Sequence, residues 1–275
     1  MLFATCLFSM GISAQGFSPA ALEQLKMKRL WFQSQNAAGT AFDDLQNYSD
    51  VKFNYASQDG NFKRPQDGQK ESTVGVSSEG FLNLGNAYVW GAFSFEQENL
   101  TDAGYNVSIT DPFRGMPFYM IDENLSKWRN QFYNLKFRAA TPVLKDHWTF
   151  GIEGTYVASI AAKQRDPRID TRFYTLELMP GVTYKVNDNH KFGLSFRYTS
   201  IKEDSKGEQE NNYIGQPFYV LYGLGTALRD VSQYGTNDTN YYGDRFGGAL
   251  QYNFSNDAWN VLLEGSYSVK AETAE

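Results

Sequence analysis

The chain has 275 residues, a net charge of −6 and a pI near 5.1, which excludes a nucleic-acid binder, because such proteins present a basic face. Hydrophobic residues make up 41% and mean hydropathy is −0.50, values that look soluble, yet 16% of residues are aromatic, with 18 Tyr and 21 Phe. After Gln15 no apolar run approaches the roughly 18 residues of a membrane-spanning helix, so a helical membrane protein is excluded.

Residues 1–15 are apolar, end in small residues and read as a secretory signal without a basic n-region, cleaved after Ala14 or Gln15. The single cysteine, Cys6, lies inside it, so the mature chain carries neither thiol nor disulfide. Residues 16–47 follow as an N-terminal unit. Ser18 can cap and Pro19 start a helix over 18–33, with Leu22, Leu25 and Trp31 partly on one face. This helix can plug a lumen, lie at a periplasmic mouth, or serve as a flexible leader.

From residue 48 onward the chain alternates. Strands are predicted at 48–57, 72–84, 87–98, 127–141, 148–163, 171–186, 191–202, 244–254 and 258–271. Short connections at 85–86, 141–147, 187–189 and 255–257 alternate with long ones at 58–71, 99–126, 164–170 and 203–243. In 148–163 the set Trp148, Phe150, Ile152, Tyr156, Ala158 and Ile160 faces Thr149, Glu153, Thr155, Ser159 and Lys163, the period-two pattern of a strand with one greasy side. Strands of 10–16 residues exceed the five or six usual in globular sheets and suit a tilted crossing of a bilayer. The fold predicted is an antiparallel outer-membrane β-barrel over 48–275, with short turns periplasmic and long loops outside. Nine strands is an odd number for a closed bacterial barrel, so an N-terminal portion of a larger barrel is expected.

The same parity turns Lys136, Arg138, Glu153, Glu177, Lys185, Arg197, Gln251 and Glu264 inward, because a basic residue on the lipid face costs about 2–4 kcal/mol at midplane. Lys136, Arg138, Glu153, Glu177, Arg197, Gln251 and Glu264 are the candidate lumen lining, either tuning a pore or pairing with one another to fill it. Pro180 falls among the strands and predicts a bulge. Two long loops are unusually apolar and offer Phe113, Phe118, Tyr119, Tyr213, Phe218, Tyr219 and Tyr222 as contact candidates; packing of the loops on one another is the alternative. The two histidines, His147 and His190, fall at short turns, away from an outer-rim catalytic site. No Cys/His cluster is present; the oxygens of 237–244 suit calcium or an ordinary loop. Neither an enzyme, a cofactor nor a metal site is expected.

The ending Ser13-Ala14-Gln15, the stretch 30–43 (LWFQSQNAAGTAFD) and the Tyr-rich hairpins resemble uncharacterised outer-membrane barrels of the Bacteroidota found beside TonB-dependent uptake systems. Residues 36–39 (NAAG) are loosely similar to the Asn-Pro-Ala-Gly element of FadL-type fatty-acid transport barrels, with Ala37 in place of proline and polar inward faces. The resemblance implies a transport, porin-like or accessory role in a Gram-negative outer membrane. Expected partners are membrane lipid and lipopolysaccharide, with a TonB-dependent receptor or surface lipoprotein as possible protein partners. The alternative is a surface-binding or adhesion protein, anchored by its barrel, whose aromatic loops contact a partner or glycan.

Overall fold

The computed structural model describes residues 19–43, 45–107, 110–111, 113, 119–211, 213–214, 216–223, 226–230 and 238–274. Residues 1–15 therefore lie outside them, as do Ser18 and Phe118. Helix α1 (Pro19–Met27) and the short α2 (Leu30–Gln33) lead into a 3-10 turn (Ala37–Phe42). The strands are β1 (Tyr48–Asp59), β2 (Lys70–Asn83), β3 (Tyr88–Ala103), β4 (Tyr119–Ile121), β5 (Ser126–Ala140), β6 (Trp148–Lys163), β7 (Arg168–Lys185), β8 (His190–Glu208), β9 (Phe218–Gly223), β10 (Thr226–Asp230), β11 (Thr239–Ser255) and β12 (Asn260–Ala274).

Nine of these form one antiparallel meander in the order β1-β2-β3-β5-β6-β7-β8-β11-β12, open between β1 and β12. Its strands run to 12–19 residues. At about 3.3 Å per residue, even a 16-residue strand such as β6 extends beyond a tilted crossing of the roughly 30 Å hydrocarbon layer. The faces are inverted relative to a water-soluble sheet. On β8 the outward Leu194 and Phe196 are 53% and 58% exposed, while their neighbour Ser195 is 3% exposed and Thr183, across the β7 ladder, 1%. Phe150, Leu176, Leu250 and Leu263 continue the exposed apolar face, and Thr149, Thr171, Thr199 and Asn253 the buried polar one. Only a solvent of hydrocarbon makes this arrangement favourable. The sheet is the wall of a transmembrane β-barrel, with the polar side turned to its lumen.

Strands β3, β7, β8 and β11 extend past their predicted outer ends. Residues 203–208 pair with 168–173, and 239–243 pair with 201–205. These stretches stand above the lipid and have no greasy face, so hydrophobic alternation does not reveal them. The two apolar loops also carry strands of their own: β4, β9 and β10 form a small sheet in the order β10-β9-β4. The bulge predicted at Pro180 is absent. Pairing of β7 with β8 lapses at Met179 and Pro180 and resumes in the same register, from Leu178↔Tyr198 to Gly181↔Ser195. Pro180 still stands opposite Ile152 of β6, so the missing N–H costs one local interruption of the ladder.

The predicted single helix breaks after Met27, with Arg29 in extended backbone (φ −95°, ψ 95°). The break lets the two halves serve different surfaces. Leu22 of α1 joins Leu45, Tyr48 and Phe81 in a buried cluster, whereas α2 turns Trp31 into the lumen.

Candidate functional site

Segment 19–43 lies across the inner face near the short-turn end of the barrel and touches every strand of the large sheet. Lys26 pairs with Glu79 of β2 at 2.6 Å, and Glu23 reaches Lys52 of β1 at 3.5 Å. Phe32 meets the Trp90 ring of β3 edge-on at 5.5 Å. Beyond it, β5 supplies the strongest polar anchor. Arg138, buried, donates from Nη1 to Phe32 O at 2.7 Å and Trp31 O at 3.2 Å, and from Nη2 to Ser34 O at 2.9 Å; its Nε pairs with Glu153 of β6 at 2.8 Å. The guanidinium thus gathers three carbonyls around the end of α2: Trp31 O, which also accepts from Ser34 N at 3.1 Å, and Phe32 O and Ser34 O.

The 3-10 turn seats on β5, β6 and β7, and Asn36 just before it reaches β8. Asn36 is fully buried: its Oδ1 accepts from Ala38 N at 3.1 Å, and its Nδ2 lies 3.1 Å from Val182 O, 3.2 Å from Leu194 O and 3.0 Å from Gln251 Oε1. Thr149 Oγ1 donates to Ala38 O at 2.7 Å. Three inward glycines make the approach possible. A Cβ on Gly151 would stand 2.4 Å from Ala38 N, one on Gly181 2.2 Å from Asn36 Oδ1, and one on Gly193 2.7 Å from Gln251 Oε1. Gly151 and Gly181 face each other in register, so the wall is locally smooth where the turn rests.

On the far side Arg197 donates to Gln35 Oε1 at 3.0 Å and stands 3.4 Å from Glu177, while Gln35 N donates to Glu264 at 3.0 Å. Gln251 Nε2 donates to Ser195 at 3.2 Å and Glu264 at 3.1 Å. Trp31, buried against Gly39, reaches Asn253 Oδ1 through Nε1 at 3.4 Å. Asp43 closes the segment on itself, its carboxylate accepting from Phe32 N at 2.5 Å and Trp31 N at 3.3 Å. Burial, against the pull of those two N–H groups, pushes the Asp43 carboxyl from its ordinary 3.8 up to about 6.

Of the seven residues expected at the lumen, Arg138, Arg197, Gln251 and Glu264 bond directly to the segment. Glu153 and Glu177 hold two of those residues, and Lys136 lines a polar cavity of about 310 Å³ beside Glu23 and Lys26. Asn36, Thr149, Asn253 and the three glycines were not among the candidates. The inward parity of Gly151, Gly181 and Gly193 on consecutive strands was the available signal.

The outer end is closed differently. Phe218 is 1% exposed and packs with Trp128, Ala161 and Ile169, so it is a core residue and not the exposed contact expected of it. Tyr219 pairs in the small sheet, Tyr213 and Tyr222 are exposed, and Phe113 is exposed beneath the Arg64 guanidinium. Tyr119 belongs to β4. An ion pair between the fully buried Lys163 and Asp122 ties the loop to β6. His147 bonds Lys185 O at 2.8 Å, and His190 bonds Tyr252 at 2.7 Å, both at short turns. Among the described residues no group of three or more His, Cys, Asp or Glu is placed to hold a metal ion, and residues 239–244 are strand.

One family model matches residues 37–275, from the 3-10 turn through β12. The chain belongs to the family of unknown function DUF6850. No curated protein matches this DUF6850 chain. Among solved structures it resembles the ferripyoverdine receptor of the outer membrane of Pseudomonas aeruginosa, with a TM-score of 0.51 at 8% identity over 82% of this chain and 33% of the receptor. The ferric citrate transporter FecA aligns with a TM-score of 0.46 at 9% identity over 82% of this chain and 33% of that one. The ferric yersiniabactin uptake receptor of Yersinia pestis gives 0.38 at 11% identity over 84% and 39%. The first likeness bears on fold alone, and there the DUF6850 chain spans a third of the receptor's length.

Proposed function

We propose that this DUF6850 chain forms part of the wall of an outer-membrane transport barrel in a Gram-negative envelope, and that segment 19–43 is a plug seated in its short-turn mouth. The observation that carries the reading is the seat itself: Arg138, Asn36 and Gln251 join segment and wall through buried hydrogen bonds in a lumen whose surroundings are polar. A plug held by hydrogen bonds can exchange them for water on leaving, since a protein–protein hydrogen bond nets only about 0.5–1.5 kcal/mol over its hydrated counterparts. An apolar plug has no such route. Lipid and lipopolysaccharide are the natural contacts of the greasy face, and an uptake setting beside a TonB-dependent receptor or surface lipoprotein fits the resemblance of residues 30–43 to Bacteroidota barrels.

Planar-bilayer recording of the full-length protein tests this. Wild type should be quiet, and Asn36→Ala combined with Arg138→Met should give frequent conductance steps whose ion selectivity shifts on Arg197→Glu. Silence from both proteins would refute the reading. Exposed Tyr213 and Tyr222 favour a second one, a barrel serving as anchor for outer loops that bind a partner. In that case deletion of 205–240 abolishes surface binding and neither protein conducts.

A further inference from the structure

The outer half of the wall holds a second pocket, remote from segment 19–43. Its floor comes from three adjacent strands: Glu71 of β2, Glu98 of β3 and Asn130 of β5, with Glu98 and Asn130 opposite each other in register. Together with Trp128, Phe132 and Thr110 they bound a cavity of about 260 Å³. Asn130 Nδ2 donates to Glu98 Oε2 at 2.6 Å, and Glu71 lines the same cavity. Two carboxylates lining one small cavity repel each other unless a proton or a cation stands between them. Among the described residues neither forms an ion pair with Lys or Arg. The nearby bases are engaged at the rim: Lys63 Nζ donates to Asp67 O at 2.6 Å, and Arg64 pairs with Asp67 at 3.0 Å.

A second, independent observation sits on the same floor. Asn130 is 5% exposed, and with its amide nitrogen committed to Glu98 its Oδ1 has no hydrogen-bond partner among the described residues. A buried amide oxygen left without a donor costs about 1–3 kcal/mol, and native structures seldom carry that cost without a reason. Among the described residues Thr110 Oγ1 is also without a partner. The unmet amide oxygen of Asn130 and the two carboxylates accept hydrogen bonds, and the Thr110 hydroxyl can do so as well. Their complement is a positively charged group with several N–H donors, and the aromatic Trp128 and Phe132 lie in the same lining. The rim already shows the chemistry, with the Arg64 guanidinium 3.3 Å above the Phe113 ring. A bare divalent ion fits less well, because among the described residues no three of the lining carboxylates are placed to hold one.

We propose that this pocket binds the ammonium or guanidinium group of an organic cation. The binding stands apart from transport and holds whether or not anything passes the lumen. Calorimetric titration of the detergent-solubilised full-length protein with pentane-1,5-diammonium, neutral 1,5-pentanediol and calcium chloride tests it. Saturable binding of the diammonium, with the diol at least about tenfold weaker, is expected from the loss of charge-assisted hydrogen bonds. Glu71→Gln with Glu98→Gln, close in shape, should weaken the diammonium by at least about tenfold. Equal binding of diol and diammonium, binding of calcium without the diammonium, or no binding at all overturns the proposal, and each is read on the wild type without relying on a variant. Bilayer conductance of the same preparation separates this result from the fate of the plug.

Discussion

Replacing Arg138 with Met removes the group that joins the plug segment to the wall at three carbonyls, and leaves the Glu153 carboxylate without its partner. A hydrogen bond to a charged group contributes about 1.5–3 kcal/mol, and the three contacts share one guanidinium, so their sum is not the cost. Removing one partner of a buried ion pair costs about 3–5 kcal/mol, most of it the desolvated charge left behind. Taken as the penalty on the docked state, this raises the open population roughly 100- to 5,000-fold at about 1.4 kcal/mol per decade. Hydrogen–deuterium exchange of peptides covering 30–43 in the full-length protein reads that population through the protected amides of Trp31, Phe32 and Gly39. Adding Glu153→Leu should recover much of the loss by removing the stranded carboxylate. Exchange within about threefold of wild type in Arg138→Met would refute the reasoning, since the bonds would then be incidental to docking.

Gly181→Ala should unseat the 3-10 turn, because the new Cβ meets Asn36 Oδ1 at 2.2 Å; faster exchange at 36–43 with unchanged protection in β7 is the expected result. Docking should also depend on pH through Asp43. Its docked carboxyl is raised from 3.8 to about 6, so the Asp43 contribution to docking is full below pH 4 and is lost as pH rises through 6, by up to about 3 kcal/mol. Exchange at 30–43, corrected for the intrinsic pH dependence, should therefore quicken between pH 4 and 7, and Asp43→Asn should flatten the profile. On the outer face, Leu250→Arg should lower stability in bilayers by about 2–4 kcal/mol in urea titrations.

The large sheet was legible because lipid and lumen impose opposite chemistry on successive residues, as in Leu194 and Ser195, and that contrast survives in the sequence. It vanishes where strands rise out of the bilayer, which is why 203–208 and 239–243 read as loop although they pair as strand. The strands β4, β9 and β10 were hidden for a related reason: Phe218 and Met120 pack into the cluster around Trp128 while Tyr222 and Leu228 are exposed, so no lipid-facing alternation marks them. At the candidate site, parity alone pointed Arg138, Arg197, Gln251 and Glu264 inward. The partners of Arg138 could not be read, because Phe32 O and Ser34 O are backbone atoms that any sequence offers. The break at Lys28–Arg29 was equally silent, since local propensity continues the helix and tertiary packing ends it.

Bromine quenching of a fluorophore decides which solvent meets which face. In liposomes of brominated-chain lipids, a label on Leu194→Cys should be strongly quenched and one on Ser195→Cys, a single residue away, should not, with Cys6 replaced in both. Equal quenching of the two positions, or none at Leu194→Cys, would contradict a wall that turns its greasy side to lipid and its polar side to the plug.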